Sequence, residues 1–342
     1  RKARPWWGYR VSPGWLQAYR DGRLHPVSQM NLGFIRPEYP EQVIYSYYQG
    51  SLVFDFIEEE WGLDSILAML DGYRRGLSND QVFRDVLGQV PSAFDEAFDA
   101  YVWARWGNQM QAVAQPAERE GVRILHREGT GVEALRLWIR EDPGSFPARL
   151  ALGRALFLEG RYEEAEPELL SALGLFPEYG GADGPLAYLA QIHLKSGDEE
   201  RAASALDRLG TLSEKLPEVH AQAADLWLEL GEGRRAIAAL EKLVEIVPFE
   251  LDAHRKLAEA YEEAGELAGA VRERRAFLAL DPPDRAGAHY LLARVLSKAG
   301  DRDEARSQVL RALEIAPTFE PALELLLELR RGTEPDPMEA AL

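Results

Sequence analysis

Six histidines, three neighbouring tyrosines and a series of regularly spaced charged side chains could do chemistry in this chain. The histidines are His25, His126, His193, His220, His254 and His289, and none is followed by glutamate. A His-Glu-x-x-His pair, which sets two imidazoles on one helix face over zinc, is therefore absent. His220, His254 and His289 recur at steps of 34 and 35 residues. A ladder of this kind spaces its members by about one helix-packing distance, ~8–10 Å. Zinc needs its nitrogens at ~2.0–2.1 Å, so packing is expected of these three rather than a shared ion. There is no Gly-x-Ser-x-Gly elbow for a nucleophilic serine and no glycine-rich phosphate loop. With no cysteine there is no thiolate, disulfide or cysteine-bound metal. No metal site and no cofactor are expected within the chain.

The elements that would position these residues repeat. Ala165, Ala202, Ala236, Ala270 and Ala305 follow one another at steps of 37, 34, 34 and 35 residues. Five residues before each stands Gly160, Gly197, Gly231, Gly265 or Gly300. Twelve before each stands a small residue: Gly153, Ala190, Ala224, Ala258 or Ala293. Pro177, Pro248, Pro282 and Pro317 stand twelve residues after four of the alanines, and in the longer second unit proline slips to Pro217. Small residues let two helices approach closely. Glycine ends the first helix in a left-handed turn. Proline cannot continue the second.

The pattern, over roughly residues 146–317, resembles the tetratricopeptide repeat. That resemblance implies an α-solenoid of paired helices A and B, whose concave face docks a peptide or protein. The groove-facing positions on the A helices would be Arg154, Phe157, Gln191, Lys195, Asp225, Glu229, Arg255, Glu259, Glu262, Tyr290, Arg294 and Lys298. Their signs are basic at both ends and acidic in the middle. The residue after the small helix A residue is Arg154, Gln191, Asp225, Glu259 or Arg294. Asparagine is missing there, which argues against the clamp for chaperone tails.

Net charge is −18, from 39 basic and 57 acidic residues, a balance that disfavours nucleic acid and anionic lipid. Residues 1–110 carry 11 basic and 14 acidic residues, so most of the acidity belongs to the repeats. No apolar run approaches the ~20 residues of a transmembrane helix. The chain opens without a secretory signal and without methionine, as a processed piece would. Six of eight tryptophans precede a composition break near residue 115. Helices are predicted over Pro13–Tyr19, Glu41–Trp61, Leu63–Arg75, Asn79–Leu87 and, with Ser92 as N-cap, on to Trp106. Residues 22–40 are expected to be loop. Residues 117–127 and 131–140 are expected to form a degenerate leading pair, and Glu320–Arg331 a cap.

The N-terminal part reads Gly14-Trp15-Leu16, Leu24-His25-Pro26-Val27-Ser28, Gly33-Phe34-Ile35-Arg36-Pro37 and Tyr45-Ser46-Tyr47-Tyr48-Gln49-Gly50-Ser51, with Glu60-Trp61-Gly62-Leu63 after it. Over roughly residues 10–107 this resembles the downstream half of a gluzincin-type metallopeptidase domain of the peptidase MA clan. In that family the zinc histidines, the catalytic glutamate and a third glutamate ligand come from segments that would lie before Arg1. Zinc would accompany this chain only if such a segment were joined to it. The resemblance implies a downstream tyrosine that donates to the tetrahedral oxyanion. Tyr48 best matches it, with Tyr45 and Tyr47 next. Packing of all three in the core is the competing expectation. The resemblance also points towards a bacterial periplasm or cell envelope.

The sequence thus predicts an all-α chain. Residues 1–110 form a metallopeptidase-like helical segment, 117–331 a solenoid of about five repeats, and 332–342 a disordered tail. An interaction scaffold for protein or peptide, without nucleic acid or a transmembrane segment, is the expected function. Part of a zinc metallopeptidase is the alternative.

Overall fold

A computed structural model describes residues 11–114, 131–213 and 216–331. The expected helix at 117–127 and the tail at 332–342 lie outside the described residues. Among those described every regular element is helical. Contacts divide the chain into two units, Arg1–Ile192 with Thr211–Ser213, and His193–Gly210 with Glu214–Leu342.

The first unit opens with α1 (Pro13–Arg20), where the Ser12 hydroxyl accepts from the Trp15 amide and Pro13 supplies the first-turn φ. A 3-10 turn at Val27–Gln29 and the short α2 (Leu32–Ile35) follow, in the stretch expected to be loop. Their local bonds suffice to close single turns between the prolines. Then come α3 (Gln42–Trp61), α4 (Leu63–Arg74) and α5 (Asn79–Val82). The last passes into a π turn at Phe83–Leu87, so the single helix expected there is two pieces, ended by Gly88 at φ 66°.

α6 runs Pro91–Ala112. Ser92 is not its cap, because Val90 is extended and Pro91 already provides the first helical φ. The helix continues past Trp106 because Met110 and Ala112 are still core residues. α7 (Val132–Glu141), α8 (Phe146–Leu158) and α9 (Tyr162–Leu175) complete this unit with the first part of α10 (Pro185–Ser196). The composition break near residue 115 is not a break in packing. Phe146, Ala172 and Phe176 share one apolar core with Trp15, Phe56, Phe94 and Met110.

The second unit holds the end of α10, most of α11 (Glu199–Leu212), α12 (Pro217–Glu229), α13 (Gly233–Ile246), α14 (Leu251–Glu263), α15 (Leu267–Ala279), α16 (Arg285–Lys298), α17 (Arg302–Ile315) and α18 (Glu320–Arg331). α12 packs on α13, α14 on α15 and α16 on α17, and α13 and α15 each pack on the next first helix. The alanines Ala202, Ala236, Ala270 and Ala305 are fully buried, as are Ala224, Ala258 and Ala293. Gly231, Gly265 and Gly300 have φ of 74°, 75° and 86°, the left-handed conformation that ends each first helix. Pro217 does not close a second helix. It stands in the first turn of α12, where its missing N–H costs nothing. α18 covers the end of the array: Ala322, Leu325 and Leu329 pack on a core with Val309 and Ala312.

Candidate functional site

The charged residues expected in the groove divide between the two units. In the first, Arg154 on α8 and Gln191 on α10 are exposed. Phe157 is half-buried, its ring 5.4 Å from that of Tyr162 and 5.2 Å from that of Tyr188. Lys195 is exposed on the part of α10 that belongs to the second unit.

In the second unit the structure brings the other positions together on α12, α14 and α16, and it shows what bonds them. Lys256 on α14 reaches Asp225 on α12 at 2.5 Å and Asp252 at 3.1 Å. Arg255 holds Glu259 at 2.8 Å and Asp252 at 2.5 Å. These partners hold the Asp252 carboxyl below its ordinary range against the opposing effect of burial. Glu229 is exposed at the end of α12 and Lys298 at the end of α16. Tyr290 is half-buried, edge-on to Phe319.

Glu262 is the buried member of the expected groove set. Its side chain is only 8% exposed, 2.7 Å from Arg274 of α15 and 2.9 Å from Arg294 of α16, with Lys298 at 3.9 Å. Arg274 itself is 1% exposed. Sequence reasoning did not single it out, yet the sequence carried a signal. Four residues after the second-helix alanine the other repeats have Leu169, Leu206, Leu240 and Val309. Four residues after the first-helix small residue they have Phe157, Leu194, Leu228 and Ser297, where this repeat has Glu262. Apolar residues prevail at both positions in the other repeats, and this repeat carries an ion pair there.

The three aligned histidines pack, each with separate partners. His254 Nδ1 lies 2.7 Å from Glu273 and its Nε2 3.0 Å from the Pro248 carbonyl. His289 Nδ1 lies 2.7 Å from Gln308. Glu273 and Gln308 stand nineteen residues after their histidines, and the matching position after His220 is Ala239. His220 instead sits against Gly210, where a methyl group would meet its ring at 2.4 Å. Burial pushes its pKa down to about 4, with Lys242 acting in the same direction. Among the described residues no group of three or more His, Cys, Asp or Glu could hold a metal ion. No helix among them is long and apolar enough to cross a membrane.

The three tyrosines of α3 have different surroundings. Tyr48 is 6% exposed and packs edge-on to Trp15, with ring centroids 4.9 Å apart. Burial raises the Tyr45 pKa, and its hydroxyl lies where a side chain on Gly14 would have to go. Tyr47 is half-exposed, edge-on to Phe34 at 4.9 Å.

Sequence signatures of the tetratricopeptide repeat match residues 132–180 and 222–274, and a second such signature matches 286–319. No curated protein matches the chain. Among solved structures, YrrB, a TPR protein with an unusual peptide-binding site, is 17% identical. Its alignment covers 57% of this chain and 98% of that one, with a TM-score of 0.38. MamA is 21% identical over 49% of this chain and 90% of its own, TM-score 0.35. A thermophilic TPR protein of Thermus thermophilus, TTC0263, is 24% identical over 55% and 98%, TM-score 0.29.

Proposed function

We propose that this chain, which carries tetratricopeptide repeats at residues 132–180, 222–274 and 286–319, is an interaction scaffold whose second unit docks a peptide or protein segment on α12, α14 and α16. The observation that carries the reading is the placement of Asp225, Glu229, Glu259, Arg294 and Lys298 on three neighbouring first helices, bridged by the Asp225–Lys256 and Glu262–Arg294 pairs. Faces of this kind are the usual binding surfaces of helical repeats. Carboxylates dominate at α12 and at Glu259, and cations at α16. The segment that fits is therefore of mixed charge, with its basic part over α12 and α14. Binding should weaken as salt shortens the Debye length to ~8 Å at physiological strength.

Charge reversal tests this in the full-length chain. Glu229→Lys with Glu259→Lys should abolish recovery of a partner in pull-down, while Glu314→Lys on α17 should leave it intact. Glu262 is omitted because its burial would confound folding with binding. Equal effects of both reversals, with helicity preserved, would make the repeats a spacer.

A second reading takes residues 10–107 as the downstream part of a gluzincin metallopeptidase. It rests on the sequence resemblance: of its tyrosines, Tyr48 is buried against Trp15 and Tyr47 is half-exposed on α3, edge-on to Phe34 of α2. The native gene tests it. An in-frame His-Glu-x-x-His followed by a glutamate before the Arg1 codon supports this reading, and its absence removes it.

A further inference from the structure

A crevice of about 280 Å³ lies between α12, α13 and α14 of the second unit. Leu240 and Leu243 of α13 and Ala253 of α14, all buried, stand in its lining with the half-buried Ala221 and Val247. Pro217 and Glu218 of α12, with Glu250, Asp252 and Lys256 around the start of α14, complete it. The space has a local origin. Ala221 stands three residues before the small first-helix residue Ala224, and at that place the other repeats carry Leu150, Ala187, Arg255 and Tyr290. A methyl group leaves open the room that leucine, arginine or tyrosine would take up.

The polar lining is acidic. Glu218, Glu250 and Asp252 stand there with one cation, Lys256, so negative charges exceed positive ones by two. Lys256 is already held by Asp225 at 2.5 Å and by Asp252 at 3.1 Å, and Asp252 is held by Arg255 as well. Glu218 and Glu250 have no ion-pair partner among the described residues. Glu250 is the N-cap of α14, yet its side chain makes no capping bond, so the carboxylate is not committed to the helix amides.

The chemistry of the occupant follows from this lining. A metal ion needs several donors gathered at one point, and among the described residues no group of three or more His, Cys, Asp or Glu could hold one. An organic cation on an apolar stem matches better. Arginine and lysine lay their methylene stems along apolar surface and keep the charged head among polar groups. The crevice also adjoins the face formed by the first helices, because Lys256 stands in its lining and bonds Asp225 on α12. A segment lying over α12 and α14 is therefore positioned to supply the side chain, and charge complementarity favours a basic one.

We infer that this crevice takes one arginine or lysine side chain of a docked peptide, its stem against Leu240, Leu243 and Val247 and its head at Glu218 and Glu250. The inference rests on the docking reading above and adds a defined subsite to it.

Methyl NMR of the full-length chain, labelled at leucine and valine, reads the crevice directly, with N-acetyl-arginine N-methylamide as the probe. The Leu240, Leu243 and Val247 methyls should shift. The citrulline analogue, of the same shape but uncharged, should need a roughly tenfold higher concentration, because it forms no ion pairs with the two carboxylates. Glu218→Gln with Glu250→Gln should weaken the arginine probe by roughly three- to tenfold. Ala221→Leu, which gives this position the leucine found at Leu150, should abolish the shifts with every carboxylate in place, and its urea midpoint checks the fold. Silent methyls, equal response to the two probes, or shifts that survive both variants would overturn the inference. So would saturation by spermidine at far lower concentration, which would assign the crevice to a free polyamine. The result separates from the pull-down with Glu229→Lys and Glu259→Lys. Partner loss there with silent methyls here removes the subsite and leaves the docking reading. Responsive methyls here with no partner effect there uphold a cation subsite and remove the docking face.

Discussion

Arg274 and Glu262 show at the scale of single residues how one repeat departs from its neighbours. A buried ion pair gains little over the apolar contact it replaces, because both charges must leave water. Removing one member is different, since the other stays buried with fewer partners. Arg274→Leu should destabilise the chain by about 3–5 kcal/mol, whereas Arg274→Leu with Glu262→Leu, which removes both charges, should be neutral or stabilising by about 1–4 kcal/mol. Urea midpoints at unchanged slope measure both. Equal losses in the single and double variants would mean that the pair is not the unit of stability. The pair was legible in the sequence once Arg274 was set against Leu169, Leu206, Leu240 and Val309. A groove position inferred from helical spacing alone, as for Glu262, ignores the second-helix residue that can draw a side chain inward. Tyr48, matched to a chemical role by its sequence neighbours, is 6% exposed with its ring edge-on to Trp15.

At the scale of elements, the repeats were the legible part. Their boundaries are punctuated by residues whose backbone preferences are strong, glycine at positive φ and proline at the start or just beyond the end of a helix. The closest approach of paired helices is set by residues with almost no side chain, and Ala236 is fully buried at such a place. Ala236→Leu should therefore overpack the contact of α12 with α13 and cost about 1–3 kcal/mol in denaturant unfolding. An unchanged midpoint would show that the space is not closed. The N-terminal helices were legible in type but less so in extent. α6 outran its expected end because tertiary burial of Met110 and Ala112, which local propensity does not report, carries it on. The π turn at Phe83–Leu87 has no periodic signature of its own.

For the whole molecule, composition located the acidity in the repeats, but it could not say how much of that charge is already paired. Asp225, Glu259 and Glu262 all have cationic partners within 3 Å, supplied by Lys256, Arg255 and Arg274. A docking partner must then exchange bonds with these pairs rather than meet bare carboxylates, so its affinity should come from several modest contacts. Composition also placed a boundary near residue 115 that the packing does not respect, because aromatic residues from both sides meet in one core. The claim that most needs testing is that a partner lies on α12, α14 and α16. Carboxyl-directed footprinting of the full-length chain, with and without a partner recovered by pull-down, measures it directly. The account predicts that labelling of Asp225, Glu229 and Glu259 falls when the partner is bound, while Glu314 on α17 and Glu328 on α18 are unchanged. Protection at Glu314 and Glu328 with Glu229 and Glu259 still labelled would contradict it.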